Sequence, residues 1–430
     1  MTILTLTKIF FVIVLLLLVT AFGIAFAMLE KQPIAITQGY QQVDDADSVN
    51  ALLGQLRYIT RQRYSPQEVS MSYPQINSLL GFVQRALPEF SGELVMQENA
   101  ASLRTTYQIK FAGLTRYINL QGQLESAKGV KLSEVKIGQV PVPGNWVMAL
   151  IKTVINLRSN SNLGDLAVMQ VSEVEIKTDA ISVSLVPIHD FLVKLNQIKN
   201  GLSGGDNEAL RLRIVYYLAF LAELDIPQDK PGLSLVDFIG PLFQRAQERN
   251  IGSSPEVQNE AALLALAIYT GHHRLANFIG EVQPIPGKVV LPRYRPMLSQ
   301  RSDLTQHFVI SAAIKILSQQ GISSAIGEFK ELMDRAEGGS GFSFADLAAD
   351  MAGVKLAVAA LSPNSALKVQ SSLASATSES VFFASIEGLP EGVSKEQFAS
   401  QYQHVNSKAY LAMLQLINGR LDALSLYQAN

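Results

Sequence analysis

The sequence predicts an α+β fold: a single N-terminal transmembrane helix, an antiparallel-sheet domain with helices, then an all-α C-terminal domain. Three observations predict it. An uncharged apolar run stands near the N-terminus. Two-residue alternation of apolar and polar side chains recurs between about 100 and 185. After a Gly-rich break at 201–205 the alternation stops and helical periodicity takes over. Composition agrees: 48% of the 430 residues are hydrophobic and 17% charged, which is too apolar for a disordered chain and long enough for two or three domains.

The elements follow in order. Lys8 precedes an uncharged run over 9–29. At 1.5 Å rise per residue this run can cross a hydrocarbon core of about 30 Å. It exceeds the 7–15 apolar residues of a signal peptide, yet Ala25-Phe26-Ala27 fits a small-x-small cleavage site. The expectation is an inner-membrane, single-pass protein with its bulk in the periplasm, or one exported after cleavage. The membrane is then a partner through residues 1–30. Residues 31–66 are polar and read as a stalk.

Residues 67–200 form the expected sheet domain. Ile76, Leu79, Leu80, Val83 and Leu87 recur at helical spacing. Leu103, Thr105, Tyr107, Ile109 and Phe111 alternate with polar residues, as do Ile118, Leu120, Gly122 and Leu124; Val135, Ile137, Ile181, Val183 and Leu185 complete the set. Such alternation describes antiparallel strands with one buried and one wet face. The Pro-rich stretch 140–144 interrupts the strands, and an apolar helix is expected over 146–157, beginning at Trp146.

Beyond the linker, 206–430 reads as the helical domain. Leu210, Ile214, Tyr217, Leu218, Leu221 and Leu224 share one helix face. Ser254-Pro255-Glu256 opens another helix. After a Pro-containing loop, helices are expected at 303–319, 322–336, 344–361 and about 405–427.

Several function classes drop out. A net charge of −2 offers no basic surface for nucleic acid. The absence of cysteine removes disulfides, thiol catalysis and Cys-zinc sites. There is no nucleophile elbow, P-loop or His-Glu-x-x-His, and no cofactor is expected. His272-His273 after Gly271 reads as a helix C-terminal cap, with metal binding the lesser reading.

The densest polar constellation lies at 303–353. Asp303, His307 and Ser311 are spaced four apart, as are Lys330 and Asp334, with Glu331 between them, and Asp346 and Asp350. Ser343 with Asp346 fits a capping box, as Asp303 with Gln306 does, and Lys330–Asp334 fits a surface pair. Yet His307, Glu331 and Asp350 have strongly apolar neighbours, and a buried carboxylate needs a partner. Two functions stay open. One is a binding or scaffolding module. The other is a hydrolase of envelope material, with His307 as general base or ligand, Glu331 and Asp350 as metal ligands or acid/base groups, and Lys330 as an electrostatic stabiliser.

The order His307-Phe308-x-x-Ser311-Ala312, Lys330-Glu331-x-x-Asp334 and Gly341-Phe342-Ser343-x-x-Asp346-Leu347-x-x-Asp350-x-x-Gly353 resembles the YfiM-like lipoproteins of proteobacteria, over about 303–360. The resemblance implies an envelope location and a shared polar core at His307, Lys330, Glu331, Asp334, Ser343, Asp346, Asp350 and Gly353. It implies no reaction. This chain departs from that family in lacking a lipid-anchor cysteine. Residues 68–190, with Ile76-Asn77 and the run Ile137-Gly-Gln-Val-Pro-Val-Pro-Gly144 before an apolar helix, are similar to membrane-anchored envelope domains of the YpmS type. That likeness implies an apolar, lipid-accommodating groove near Trp146.

Overall fold

The computed structural model describes residues 28–36, 43–111, 113–158, 161–194, 205–226, 232–317, 330 and 339–428. It is mixed, with antiparallel sheets and helices, and divides into two compact units at 195/196. The uncharged run lies outside the described residues as far as residue 27, and its last residue, Leu29, sits in a strand. Among the described residues no helix is long and apolar enough to cross a membrane.

The first unit carries strands β1 (Leu29–Glu30), β2 (Gln67–Ser72), β3 (Phe90–Gln97), β4 (Ala100–Phe111), β5 (Leu114–Glu125), β6 (Ala127–Lys128), β7 (Lys131–Ile137), β8 (Val140–Pro141), β9 (Val171–Ile176) and β10 (Ala180–Leu185). Its helices are α1 (Val49–Arg61), α2 (Tyr73–Ala86), α3 (Gly144–Arg158) and α4 (Leu163–Met169). One antiparallel sheet runs β3-β4-β5-β7-β8, with β1 pairing on β5; a second runs β2-β10-β9-β6. The β4–β5 register is unbroken from Ala100↔Glu125 to Phe111↔Leu114, so alternate β5 residues share one face along the whole strand. Leu94, Ala101, Val174, Ile176 and Ile181 form the core between the sheets, with Ile76 and Leu80 of α2 packed against it. Ser72 starts α2 with a capping box to Gln75.

The stalk expected at 31–66 is corrected. Ala35, Val43, Ala46, Val49, Leu52 and Ile59 are buried, and Leu52 and Ile59 form a second core with Val69 and Ile188. Most polar residues of α1 lie on its outer face, while Gln55 turns inward to the Ser70 backbone of β2, so average polarity concealed an amphipathic helix. Strands β2, β3 and β9 were also not legible as alternation.

The second unit carries helices α5 (Gly205–Glu223), α6 (Val236–Glu248), α7 (Pro255–Leu266), α8 (Ser302–Leu317), α9 (Phe344–Leu361), α10 (Ala366–Ala374), α11 (Lys395–Gln401) and α12 (Lys408–Asp422). The helix expected at 322–336 falls outside the described residues except for Lys330. Most of α7 is buried all round, as are the inward faces of α8 and α9. Phe342, Phe344, Phe398, Tyr402 and Tyr410 form an aromatic cluster at the start of α9, with ring centroids 4.9–6.2 Å apart.

One contact sets the geometry of this unit. A Cβ at Gly353 of α9 would lie 2.0 Å from the carbonyl oxygen of Phe308 in α8. Only glycine lets the two backbones approach so closely, and this approach brings His307 and Asp350 within reach.

Candidate functional site

The polar cluster is built on the α8–α9 contact. The Ser343 side chain accepts from Asp346 N at 3.1 Å and so caps α9, as its spacing predicted. The Asp346 carboxylate lies 2.9 Å from the Arg301 guanidinium and 3.5 Å from His307 Nε2. One turn on, Asp350 Oδ1 accepts from His307 Nδ1 at 3.1 Å and from Ser311 Oγ at 2.6 Å. His307 and Ser311 are therefore one stripe of α8, and Asp346 and Asp350 the facing stripe of α9.

Asp303 leaves this network. It pairs with Arg301 and is about half exposed, and Arg301 also binds Glu391. Arg301 is thus the residue that sequence reading missed: it joins the start of α8 to Asp346 and to a carboxylate 90 positions away. Only its place just ahead of Asp303 hinted at a role. Lys330 is exposed, and its charge reaches His307 and Asp346. Glu331 and Asp334 lie outside the described residues.

The cluster is nearly closed. The side chains of His307, Asp346 and Asp350 are 12%, 13% and 6% exposed. Burial opposes the His307 imidazolium, but the hydrogen bond and charge of Asp350, with Asp346 behind it, outweigh burial and Lys330 and hold His307 above its ordinary value. Burial likewise raises the Asp346 carboxyl, against the pull of His307, Arg301 and Lys330. Asp350 Oδ2 is buried and makes no hydrogen bond among the described residues. No group of three or more His, Asp or Glu among the described residues is arranged to hold a metal ion.

His272 corrects the capping expectation in part. Its Nδ1 accepts from Arg274 N at 3.1 Å, so it caps the turn that follows it, and its ring stacks on His273 at 5.0 Å. Burial, then the neighbouring His273 and Arg274, push its pKa down.

The first unit holds a different kind of site. Gly144 begins α3, where a Cβ would lie 2.0 Å from the Leu132 carbonyl oxygen of β7. This pins the start of the helix against the sheet. Further along, α3 and the sheet enclose a cavity of about 690 Å³. Its walls are Leu103 of β4; Leu120, Gly122 and Leu124 of β5; Leu132, Val135 and Ile137 of β7; Trp146, Val147, Leu150 and Ile151 of α3; and Met28. All are apolar or glycine. The size lies within the range of small-molecule sites. The α3 side of the cavity is open to solvent: Trp146 is 68% exposed, Leu150 58% and Ile151 44%. An apolar helix face left in water marks a binding surface.

Searches of family models, of curated proteins and of solved structures find no match to this chain.

Proposed function

We propose that this chain is a membrane-anchored envelope protein, held by the part of the uncharged run that precedes Met28, whose first unit binds an apolar chain such as the acyl chain of a lipid. The observation that carries the reading is the cavity of about 690 Å³ walled by apolar side chains and edged by exposed Trp146. Burying acyl methylenes there is worth about 0.8 kcal/mol each. The helical unit serves as scaffold.

The rival reading, hydrolysis by His307 with Glu331, Asp350 and Lys330, has less support. Both His307 nitrogens face carboxylates, and the imidazole is 12% exposed, so substrate has little approach. Fixed charges locking two helices together account for the same contacts.

The sole tryptophan, Trp146, lies on the cavity wall and reports on its contents. Addition of 1-monopalmitoylglycerol to the full-length chain in phosphatidylcholine vesicles should shift its emission to the blue and saturate. Gly122→Leu projects a side chain into the cavity, and a Cβ there meets Val135 at an ordinary 3.4 Å, so the variant should fold. It should lose the response. A wild type without a saturable shift, or a Gly122→Leu protein that responds equally, refutes the reading.

A further inference from the structure

A second, polar cleft borders the apolar cavity in the same unit. It measures about 710 Å³ and is lined by residues 29–34 together with Arg116 and Gln139. The two spaces have no lining residue in common, but their linings are neighbours in the chain at two places. Met28 lines the apolar cavity and Leu29 the polar cleft; Ile137 and Val142 line the first and Gln139, between them, the second.

Strand β5 joins them more directly. Its pairing with β4 is regular, so Arg116 and Ile118 stand on the same face as Leu120, Gly122 and Leu124. At about 3.4 Å per residue, Arg116 sits about 14 Å along the strand from Leu120. One sheet face therefore runs from apolar to cationic. The cleft holds two cations, Lys31 and Arg116, and one carboxylate, Glu30. Glu30 is engaged by the Asn119 side-chain amide, and Asn119 is also held by Thr106. Arg116 spends one donor on the Thr115 carbonyl oxygen at 2.9 Å, which leaves the rest of its fork for a ligand.

We infer that the cleft at Lys31 and Arg116 is the headgroup site for an anionic amphiphile whose acyl chain fills the adjoining apolar cavity. The inference rests on the acyl-binding reading above and adds the class of ligand, a single- or double-chain lipid whose phosphate headgroup carries net negative charge. A guanidinium and an ammonium in a half-open cleft suit a phosphate by charge and donor geometry. A neutral lipid would gain only the apolar part.

The test uses the full-length chain in phosphatidylcholine vesicles, with Trp146 emission as readout. Three probes are titrated: palmitoyl lysophosphatidate, 1-monopalmitoylglycerol and inorganic phosphate. Each is run on wild type, Arg116→Gln and Lys31→Gln. Comparing variant with wild type for one lipid cancels that lipid's partition into the vesicles. The expected result is about tenfold weaker lysophosphatidate binding in each variant, with monopalmitoylglycerol binding unchanged. If both lipids weaken equally, or neither changes, the headgroup assignment is overturned while acyl binding stands. If inorganic phosphate competes with lysophosphatidate at equal concentration, the cleft takes free anions and the headgroup assignment is again overturned. If no lipid moves Trp146 emission in wild type, the acyl-binding reading itself has failed.

Discussion

Replacing Asp350 with Ala tests whether the His307 cluster locks α8 to α9. Asp350 is 4% exposed, and one of its oxygens accepts from both His307 Nδ1 and Ser311 Oγ. Truncation takes from the buried Ser311 hydroxyl the carboxylate it donates to, and from the buried His307 imidazole the nearer of its two carboxylates. A hydrogen bond to a charged group is worth about 1.5–3 kcal/mol, and removing one partner of a buried ion pair costs about 3–5 kcal/mol. Cavity formation adds little, because only a carboxylate is lost. The expected loss is therefore about 3–5 kcal/mol. With a urea dependence of about 3 kcal/mol per molar, the midpoint of unfolding falls by roughly 1–1.7 M. Urea titration followed by far-ultraviolet circular dichroism measures it, because the second unit carries most of the long helices. Trp146 lies in the first unit and follows that unit separately. Asp303→Ala is the internal comparison: its partner is Arg301 and it is about half exposed, so about 0–1 kcal/mol is expected. A loss below about 1 kcal/mol for Asp350→Ala refutes the lock.

Four further outcomes follow from the same contacts. His307 has a raised folded pKa, so its contribution is complete below its unfolded value near 6.5 and is lost as pH rises through the folded value. Asp346 is raised too and acts in the same sense, from its unfolded value near 3.9 upward. The stability gap between wild type and His307→Ala should then narrow as pH rises above about 6.5, and a gap that widens contradicts the assignment. Gly353→Ala places a Cβ 2.0 Å from the Phe308 carbonyl oxygen, so urea titration should show a loss above about 2 kcal/mol; a change within about 0.5 kcal/mol would mean the helices can part freely. A fragment spanning 28–195 should melt cooperatively, whereas 67–190 alone, lacking Leu52 and Ile59 from the second core, should melt at least several degrees lower by circular dichroism. Intact-mass measurement on membrane-extracted protein should find residues 1–27 retained, and a mature chain beginning at Met28 would rule out the anchor.

Local periodicity carried much of this protein in its sequence. Alternation is a property of a strand with one wet face, so β4, β5 and β10 were readable from Leu103, Leu120 and Ile181 with their neighbours. The 3.6-residue repeat did the same for α2 and α5. The spacing Ser343-x-x-Asp346 encodes a cap made within four residues, and the structure makes that cap. The four-residue spacings also placed His307 with Ser311 and Asp346 with Asp350 on single stripes, because helix geometry alone sets that phase. What stripes face is a different matter. Only the packing of α8 on α9, through the missing side chain of Gly353, decides that Asp350 takes both His307 and Ser311 while Asp303 turns to Arg301. Arg301 and Glu391 meet across 90 residues, a distance that no periodicity spans. The buried part of 31–66 was hidden for the same reason: α1 has one apolar face, and its value depends on Val69 and Ile188 arriving from elsewhere. The cavity beside Trp146 is the clearest case. A groove near Trp146 was implied only by the likeness of 68–190 to envelope domains; by periodicity its other wall residues read as ordinary core, and the space exists because α3 and the sheet enclose a volume that their own side chains do not fill.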